Sequence, residues 1–415
     1  MRLRIAIRRT GIPTRIFPKA TDNLPHMLSP HAWYLASRGI STFASLGLAL
    51  IYSYDLGQVN RAVLAVVMTT NALLWIVTTS GSTLTLRTIG WPNLGKHLYN
   101  SFLSLVLIQL LIVLTIFLIV TNLYSNYKNR IPGNLLLTAI VYVCLSGLHL
   151  IVMEALISYS KFRFGAFLDF STIVLQFMLY LFVLPLGNYS AASSVLLAYL
   201  FSYLLVGMGG AIYLSQENHH KVKFVNPKLF FTETRYRHSL GSSIGVMDRA
   251  DRLVIGFSLQ TFVLGKYAVT SSLIALLRFV PDTIARFIIA KEDLRKWKFI
   301  KNRYLILLLI FVLVISIISV SRFVVGRWLG PDWLIPINVC LAIAIQELIR
   351  GAYVIRANKN VKLGFSKNVN STSIALPILA VLLAQLFLGS LGLIAVPLGF
   401  CLAYGISIMR LRVRR

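Results

Sequence analysis

The sequence has few charged residues and very few acidic ones. Only 13% of its 415 residues are charged, and its 13 Asp and Glu residues face 41 Lys and Arg residues. A soluble domain of this length needs a more polar surface than this composition can supply. Because 57% of the residues are hydrophobic, the chain is predicted to be an integral membrane protein.

Cysteines and nucleotide-binding motifs are also scarce. The three cysteines, Cys144, Cys340 and Cys401, lie in apolar runs without metal-ligand spacing, so neither a disulfide framework nor a metal site is predicted. No G-x-x-x-x-G-K-[ST] motif occurs, so no ATP-binding loop and no cofactor are expected. The net charge of +28 is attributed to cytoplasmic loops of a membrane protein, and no nucleic-acid partner is expected.

Long apolar runs fill most of the chain. A transmembrane helix needs about 20 mostly apolar residues, and about twelve such stretches can be placed. All are predicted to be α-helical, with no strands crossing the bilayer. Their approximate bounds are 32–54, 62–86, 99–122, 134–158, 165–187, 191–214, 239–259, 263–289, 304–322, 334–355, 371–390 and 392–409.

The basic residues alternate between the connections that join these spans. The N-terminal arm, the C-terminus and every second loop together hold 29 of the 41 Lys and Arg residues. The other loops hold 6, among them Arg61, and the spans themselves hold 6. By the positive-inside rule both termini are predicted to be cytoplasmic, with residues 1–31 forming a basic arm.

A long polar connection divides the spans into two sets of six. Residues 215–238 are predicted to be a cytoplasmic linker between an N-lobe, 32–214, and a C-lobe, 239–415. At an offset of 203 residues, seven of 25 positions are identical between the starts of the two lobes. This modest match favours a parallel duplication.

Two short motifs carry a resemblance to a known family. Asp251-Arg252-Leu253-Val254-Ile255-Gly256 is followed by Leu264-Gly265-Lys266-Tyr267-Ala268-Val269, and a Leu56-Gly57 turn stands at the corresponding place in the first lobe. The chain thus resembles the Wzx-type polysaccharide flippases of the multidrug/oligosaccharidyl-lipid/polysaccharide exporter superfamily. Ala62 and Leu64 depart from the glycine and tyrosine that the family pattern has in the first lobe.

The resemblance implies a fold and a cargo. The two six-helix lobes would form a V that opens alternately to each side of a bacterial or archaeal plasma membrane. The cargo would be a polyprenyl-pyrophosphate-linked oligosaccharide for a surface polysaccharide such as O-antigen. A polysaccharide polymerase and a chain-length regulator would be its partners.

Charged residues inside the predicted spans indicate a candidate site. An ionisable side chain at a helix centre costs about 2.5–3.5 kcal/mol on insertion, so its presence requires a reason. Arg350 and Arg286 lie near predicted helix ends, where they can snorkel to the headgroups. The candidate substrate-binding residues are therefore Arg38, Arg249, Arg252 and Arg278, with Asp248, Asp251 and Asp282 as their charge partners.

The spacing of these residues allows two interpretations. Asp248 and Arg252 are four residues apart on one helix face, as are Arg278 and Asp282, so they can form local ion pairs that hold the helices together. Glu347, one turn before Arg350, is expected to pair with it. Alternatively, the arginines line a polar cavity and bind an anionic head group through their guanidinium forks.

Three functions can be weighed against this sequence. The first is the flippase, whose diphosphate cargo would leave a negative interior with a gain of roughly 4–5 kcal/mol per 100 mV. The second is a cation-coupled small-molecule exporter of the same fold. A membrane polymerase is disfavoured, because no predicted outside loop exceeds about 13 residues and no catalytic constellation lies there.

Overall fold

The computed structural model describes most of the chain. The residues that it describes are 30–89, 141–142, 145–147, 149–150, 152–153, 156, 162–183, 191–217, 227–279, 281–282, 303–362 and 366–411. The predicted third span at 99–122, the loop at 124–132, most of the basic arm, Cys144 and Arg286 lie outside the described residues, and so does the side chain of Arg38.

All regular structure in the described residues is helical. A short run of helical residues within 141–156 belongs to the predicted fourth span. The helices are α1 (Pro30–Ile89), α2 (Phe162–Val183), α3 (Ala191–Glu217), α4 (Pro227–Ser258), α5 (Thr261–Ile274) with a 3₁₀ turn (Ala275–Arg278), α6 (Arg303–Trp328), α7 (Ile337–Lys362), α8 (Ser366–Leu391) and α9 (Ala395–Arg410).

The helix α1 consists of two segments that meet at Gly57. This residue has φ 67° and ψ 175°, in the region where a side chain would be strained, so it separates α1a (30–56) from α1b (58–89). The predicted Leu56-Gly57 turn is therefore confirmed. The break between α4 and α5 at Gln260 lies 203 residues further on, which is the offset of the predicted repeat.

Several helices are long and apolar enough to cross a membrane. Among the described residues, the stretches Ala192–Tyr213, Ile310–Trp328, Ile337–Asn360 and Asn368–Arg410 meet both conditions. The last, at 43 residues, contains α8 and α9, which are separated by a turn with a positive φ at Gly392. The prediction of a multi-pass, all-α membrane protein agrees with this arrangement.

Apolar side chains are found on the outer faces of the helices as well as in the core. On α6, Phe311, Val320 and Phe323 are each at least 60% exposed, and Leu386 on α8 is 72% exposed. A soluble protein does not present whole apolar faces to water, whereas lipid tails solvate them. The exposed faces are thus suited to a bilayer.

The N-terminal helices (α1–α3) and the C-terminal helices (α4–α9) pack together along α1. Leu50 of α1a is buried with Val269, Leu273 and Trp333. Ala62 of α1b is fully buried in the large cluster formed by the C-terminal helices. The two groups of helices therefore pack against each other on both sides of Gly57, near the middle of α1.

Gly265 allows α1 and α5 to approach each other closely at this interface. A Cβ atom placed on Gly265 of α5 would collide with the backbone carbonyl of Gln58 in α1. The Gln58 side chain also donates a hydrogen bond of 3.2 Å from Nε2 to the carbonyl oxygen of Asp332. The backbones of α1 and α5 can approach this closely only because residue 265 has no side chain.

Two helix boundaries differ from the predicted ones. The polar connection predicted at 215–238 is helical at both ends, since α3 continues to Glu217 and α4 begins at Pro227. The predicted span at 263–289 is interrupted after Ile274 by the 3₁₀ turn, and helical residues resume at 279 and 281–282. Polar residues at a helix end mark the membrane surface rather than the end of the helix, which explains the first difference.

Candidate functional site

An ion-pair network joins three parts of the C-terminal helices. Arg278, at the end of the 3₁₀ turn, donates from Nε and Nη2 to the two carboxylate oxygens of Glu347 on α7, each at 2.5 Å. Its Nη1 atom lies 3.3 Å from Oδ1 of Asp248 on α4. Arg278 is thereby shared between two carboxylates on two different helices.

Arg350 extends this network on the same face of α7. Its Nε and Nη2 donate to the two oxygens of Asp248 at 2.6 and 3.1 Å, and its Nη1 donates to Asp282 at 3.0 Å. Glu347 and Arg350 are three residues apart, so both side chains lie on one face of α7. The network thus contains three carboxylates and two guanidinium groups.

Burial differs across the network. The side chains of Glu347 and Arg350 are 1% and 3% exposed, those of Arg278 and Asp248 are 21% and 22% exposed, and that of Asp282 is 38% exposed. The centre of the network is therefore held away from solvent, where ion pairs with bidentate geometry offset the cost of burying charge.

The structure corrects three predicted pairings. Asp248 pairs with Arg278 and Arg350 rather than with Arg252. Asp282 pairs with Arg350 rather than with Arg278, and Glu347 pairs with Arg278 rather than with Arg350. The prediction that Arg350 snorkels to the headgroups is also wrong, because its side chain is buried. Sequence spacing favours partners on one helix, whereas in the folded protein the long arginine side chains reach carboxylates on other helices.

Arg252 lies in a second polar group next to this network. Its Nη2 donates to Oγ of Ser272 on α5 at 3.0 Å, and its buried Nε has no hydrogen-bond partner among the described residues. Asp251 accepts a 3.0 Å hydrogen bond from the Tyr267 hydroxyl and a 2.8 Å bond from the backbone N–H of Arg252. Two residues of the family-like motifs, Asp251 and Tyr267, are thus in direct contact.

Arg249 and Arg61 complete the charged surroundings of Arg252. Arg249, one turn before Arg252 on α4, forms no ion pair with any described residue, and its charge repels those of Arg252 and Arg61. Arg61 comes from α1b and is only 8% exposed. The sequence predicted Arg61 to be a loop residue, because it lies at the edge of an apolar run.

The predicted site residues therefore separate into two groups. Arg278, Asp248 and Asp282 belong to the ion-pair network, and Arg249 and Arg252 belong to a cationic group that also contains Arg61. We name this second group the arginine cluster (Arg61, Arg249 and Arg252). Within the described residues, no three His, Cys, Asp or Glu side chains come together as a group that could hold a metal ion.

No protein-family model matches the chain, and no curated protein matches it. Solved structures, by contrast, match it over nearly its whole length. The "Lipid II flippase MurJ, inward closed conformation" has a TM-score of 0.64 at 14% identity, over 91% of this chain and 86% of that chain. The chain has the fold of a membrane transporter.

Two multidrug transporters match equally broadly. An inward-facing "multidrug resistance MATE family transporter of the MOP superfamily" has a TM-score of 0.60 at 13% identity, covering 91% of this chain and 95% of that one. The MATE multidrug transporter DinF-BH has a TM-score of 0.61 at 15% identity, covering 91% of this chain and 92% of that one. At identities this low, the matches show a shared fold. The substrate has to be inferred from the chemistry of this chain's own site.

Proposed function

We propose that this protein is a flippase for a polyprenyl-pyrophosphate-linked oligosaccharide. It would move this lipid from the cytoplasmic to the outer leaflet of a bacterial or archaeal plasma membrane, for the synthesis of a surface polysaccharide such as O-antigen. The shared fold with a lipid II flippase supports a lipid-linked cargo, and the arginine cluster supports an anionic one.

The observation that carries this proposal is the positive charge left unpaired in the arginine cluster. In the ion-pair network, every guanidinium group has at least two carboxylate partners. In the part of the arginine cluster's surroundings that the structure describes, by contrast, the nearby carboxylate is Asp251, and it accepts hydrogen bonds from Tyr267 and from the backbone. Positive charge that the protein does not neutralise favours an anionic ligand.

A diphosphate fits this chemistry. Guanidinium groups bind phosphate oxygens through paired N–H donors. The three guanidinium groups of the arginine cluster would face the two phosphates of the lipid. We assign the head group to Arg249 and Arg252, and Arg38 remains a proposed further contact. Arg278 is already bonded to Glu347 and Asp248, so we assign it to the ion-pair network instead.

The membrane potential would drive this transport. If both termini face the cytoplasm, export carries negative charge out of a negative interior, which releases about 2.3 kcal/mol per charge per 100 mV. Neither ATP hydrolysis nor a bound cofactor is required by this scheme.

A cation-coupled exporter of small molecules is the second candidate. The fold is shared equally with MATE multidrug transporters, and the ion-pair network contains one more carboxylate than it has guanidinium groups. A surplus carboxylate in a transporter can bind a proton or a metal cation. The arginine cluster, however, would repel a cationic drug.

Reconstituted vesicles distinguish the two functions. The purified protein is placed in liposomes with a fluorescent oligosaccharide on undecaprenyl diphosphate, and the rate at which the label becomes accessible to a membrane-impermeant quencher is measured. We expect Arg249→Gln and Arg252→Gln to slow flipping at least ~10-fold, whereas the exposed Arg327→Gln on α6 should not. Unchanged rates in both cluster variants, or uptake of a cationic dye that depends on an ion gradient, would refute the flippase.

A further inference from the structure

The last part of the sequence carries basic residues without acidic ones. No Asp or Glu follows Glu347, whereas nine Lys and Arg residues do. Two short stretches, 356–367 and 410–415, hold eight of these nine. Because no carboxylate lies in this part of the sequence, its positive charge favours an anionic partner from outside the chain.

The folded chain brings these two stretches together. Arg356 of α7 donates from Nε to the carbonyl oxygen of Leu411 at 3.0 Å, and Asn360, one turn further on, donates from Nδ2 to the same oxygen at 3.1 Å. Leu411 is 1% exposed and belongs to the large core cluster of the C-terminal helices. The end of α9 is therefore fixed against the end of α7, with Arg410 next to the hydrogen bond from Arg356.

Both ends lie at the limit of an apolar span. The stretch of α7 that is long and apolar enough to cross a membrane ends at Asn360, and the stretch that contains α8 and α9 ends at Arg410. Lipid headgroups begin where the hydrocarbon region ends. Lys359 and Arg410 are exposed and Arg356 is partly exposed, so all three side chains are accessible at the depth of the headgroups.

These three residues, which we name the terminal basic patch, are separate from the ion-pair network. Within the described part of the chain, the ion pairs have Arg278 and Arg350 as their cations, and none includes a residue of the patch. Arg350 lies six residues before Arg356, about 9 Å along the helix. Arg356 has five N–H donors, and its hydrogen bond to Leu411 uses one of them.

We propose that the terminal basic patch binds the headgroup of an anionic phospholipid at the predicted cytoplasmic surface of the membrane. A lipid phosphate accepts hydrogen bonds from guanidinium and ammonium groups, so one headgroup can contact α7 and α9 together. A lipid is favoured over a free anion, because the patch lies at the ends of two apolar spans, where headgroups are concentrated. This site is independent of the cargo and of the proposed function.

Removing the two exposed charges tests the site. Phosphatidylglycerol is titrated into the full-length protein in a non-ionic detergent, bound lipids are counted by native mass spectrometry, and phosphatidylcholine is the neutral reference. A basic residue near an anionic membrane surface strengthens binding about 5-fold, so Lys359→Gln with Arg410→Gln should weaken phosphatidylglycerol binding about 25-fold. Lys359→Arg with Arg410→Lys keeps both charges and should bind as the unmodified protein does.

A matched variant removes the same charge from the opposite ends of the helices. Lys266 lies in the second turn of α5 and Arg327 is exposed in the last turn of α6, so Lys266→Gln with Arg327→Gln should leave phosphatidylglycerol binding unchanged. An equal loss in the two double variants, or no loss in Lys359→Gln with Arg410→Gln, would refute the site.

Inorganic phosphate distinguishes a lipid from a free anion. The thermal midpoint of the unmodified protein in detergent is measured with phosphatidylglycerol, with phosphatidylcholine and with inorganic phosphate. We expect phosphatidylglycerol alone to raise the midpoint, and we expect this rise to be lost in Lys359→Gln with Arg410→Gln. If inorganic phosphate raises the midpoint as much as phosphatidylglycerol does, the patch takes a free anion and the lipid proposal is wrong.

Discussion

Replacing Glu347 with glutamine should destabilise the protein by about 3 kcal/mol. Glu347 is 1% exposed and accepts two bonds of 2.5 Å from Arg278, and removing one partner of a buried ion pair costs about 3–5 kcal/mol. The lower end applies, because Arg278 is 21% exposed and retains Asp248 at 3.3 Å. The free energy of unfolding is measured by SDS titration in mixed micelles, followed by tryptophan fluorescence.

A matched control and a double variant make this prediction specific. Gln346 is also 1% exposed on α7, but its buried Oε1 has no hydrogen-bond partner within the residues that the structure describes, so Gln346→Leu should change the free energy of unfolding by less than about 1 kcal/mol. Glu347→Gln combined with Arg278→Gln should be about 2 kcal/mol more stable than the sum of the single effects. Additive effects, or a Glu347→Gln protein as stable as the unmodified one, would refute a stabilising ion-pair network.

The other predictions concern topology and the helix interface. A single cysteine introduced at 124–132 should react with an impermeant maleimide added from outside, and one introduced at 218–226 should not. The reason is that basic residues are concentrated on the cytoplasmic side. Labelling at 218–226 from outside would show that the predicted orientation is wrong. Gly265→Ala should lower the thermal midpoint in detergent, because its methyl group meets the Gln58 carbonyl at a cost of about 1–3 kcal/mol. Gly405→Ala has open space around it and serves as the control, so equal midpoints for the two variants would contradict the close packing at Gly265.

The hydropathy pattern was sufficient to predict the fold class. Long apolar runs such as α6 and α7 have to lie in a bilayer as helices, since only internal hydrogen bonds satisfy a backbone in lipid. The turn at Gly57 was also predictable, because it interrupts an apolar run at a residue that tolerates positive φ. The division into two lobes and the cytoplasmic termini remain predictions.

The pairing of charges was decided by tertiary structure alone. From the sequence, the basic residue on the same helix face as Asp248 is Arg252, four residues on, but packing brought Arg350 from 102 residues away to within 2.6 Å. The burial of Arg61 was hidden for a related reason, since its position at the edge of an apolar run is typical of a loop. Burial of a charged side chain depends on which helices surround it. The hydropathy of one helix does not reveal its neighbours, so it cannot predict this burial.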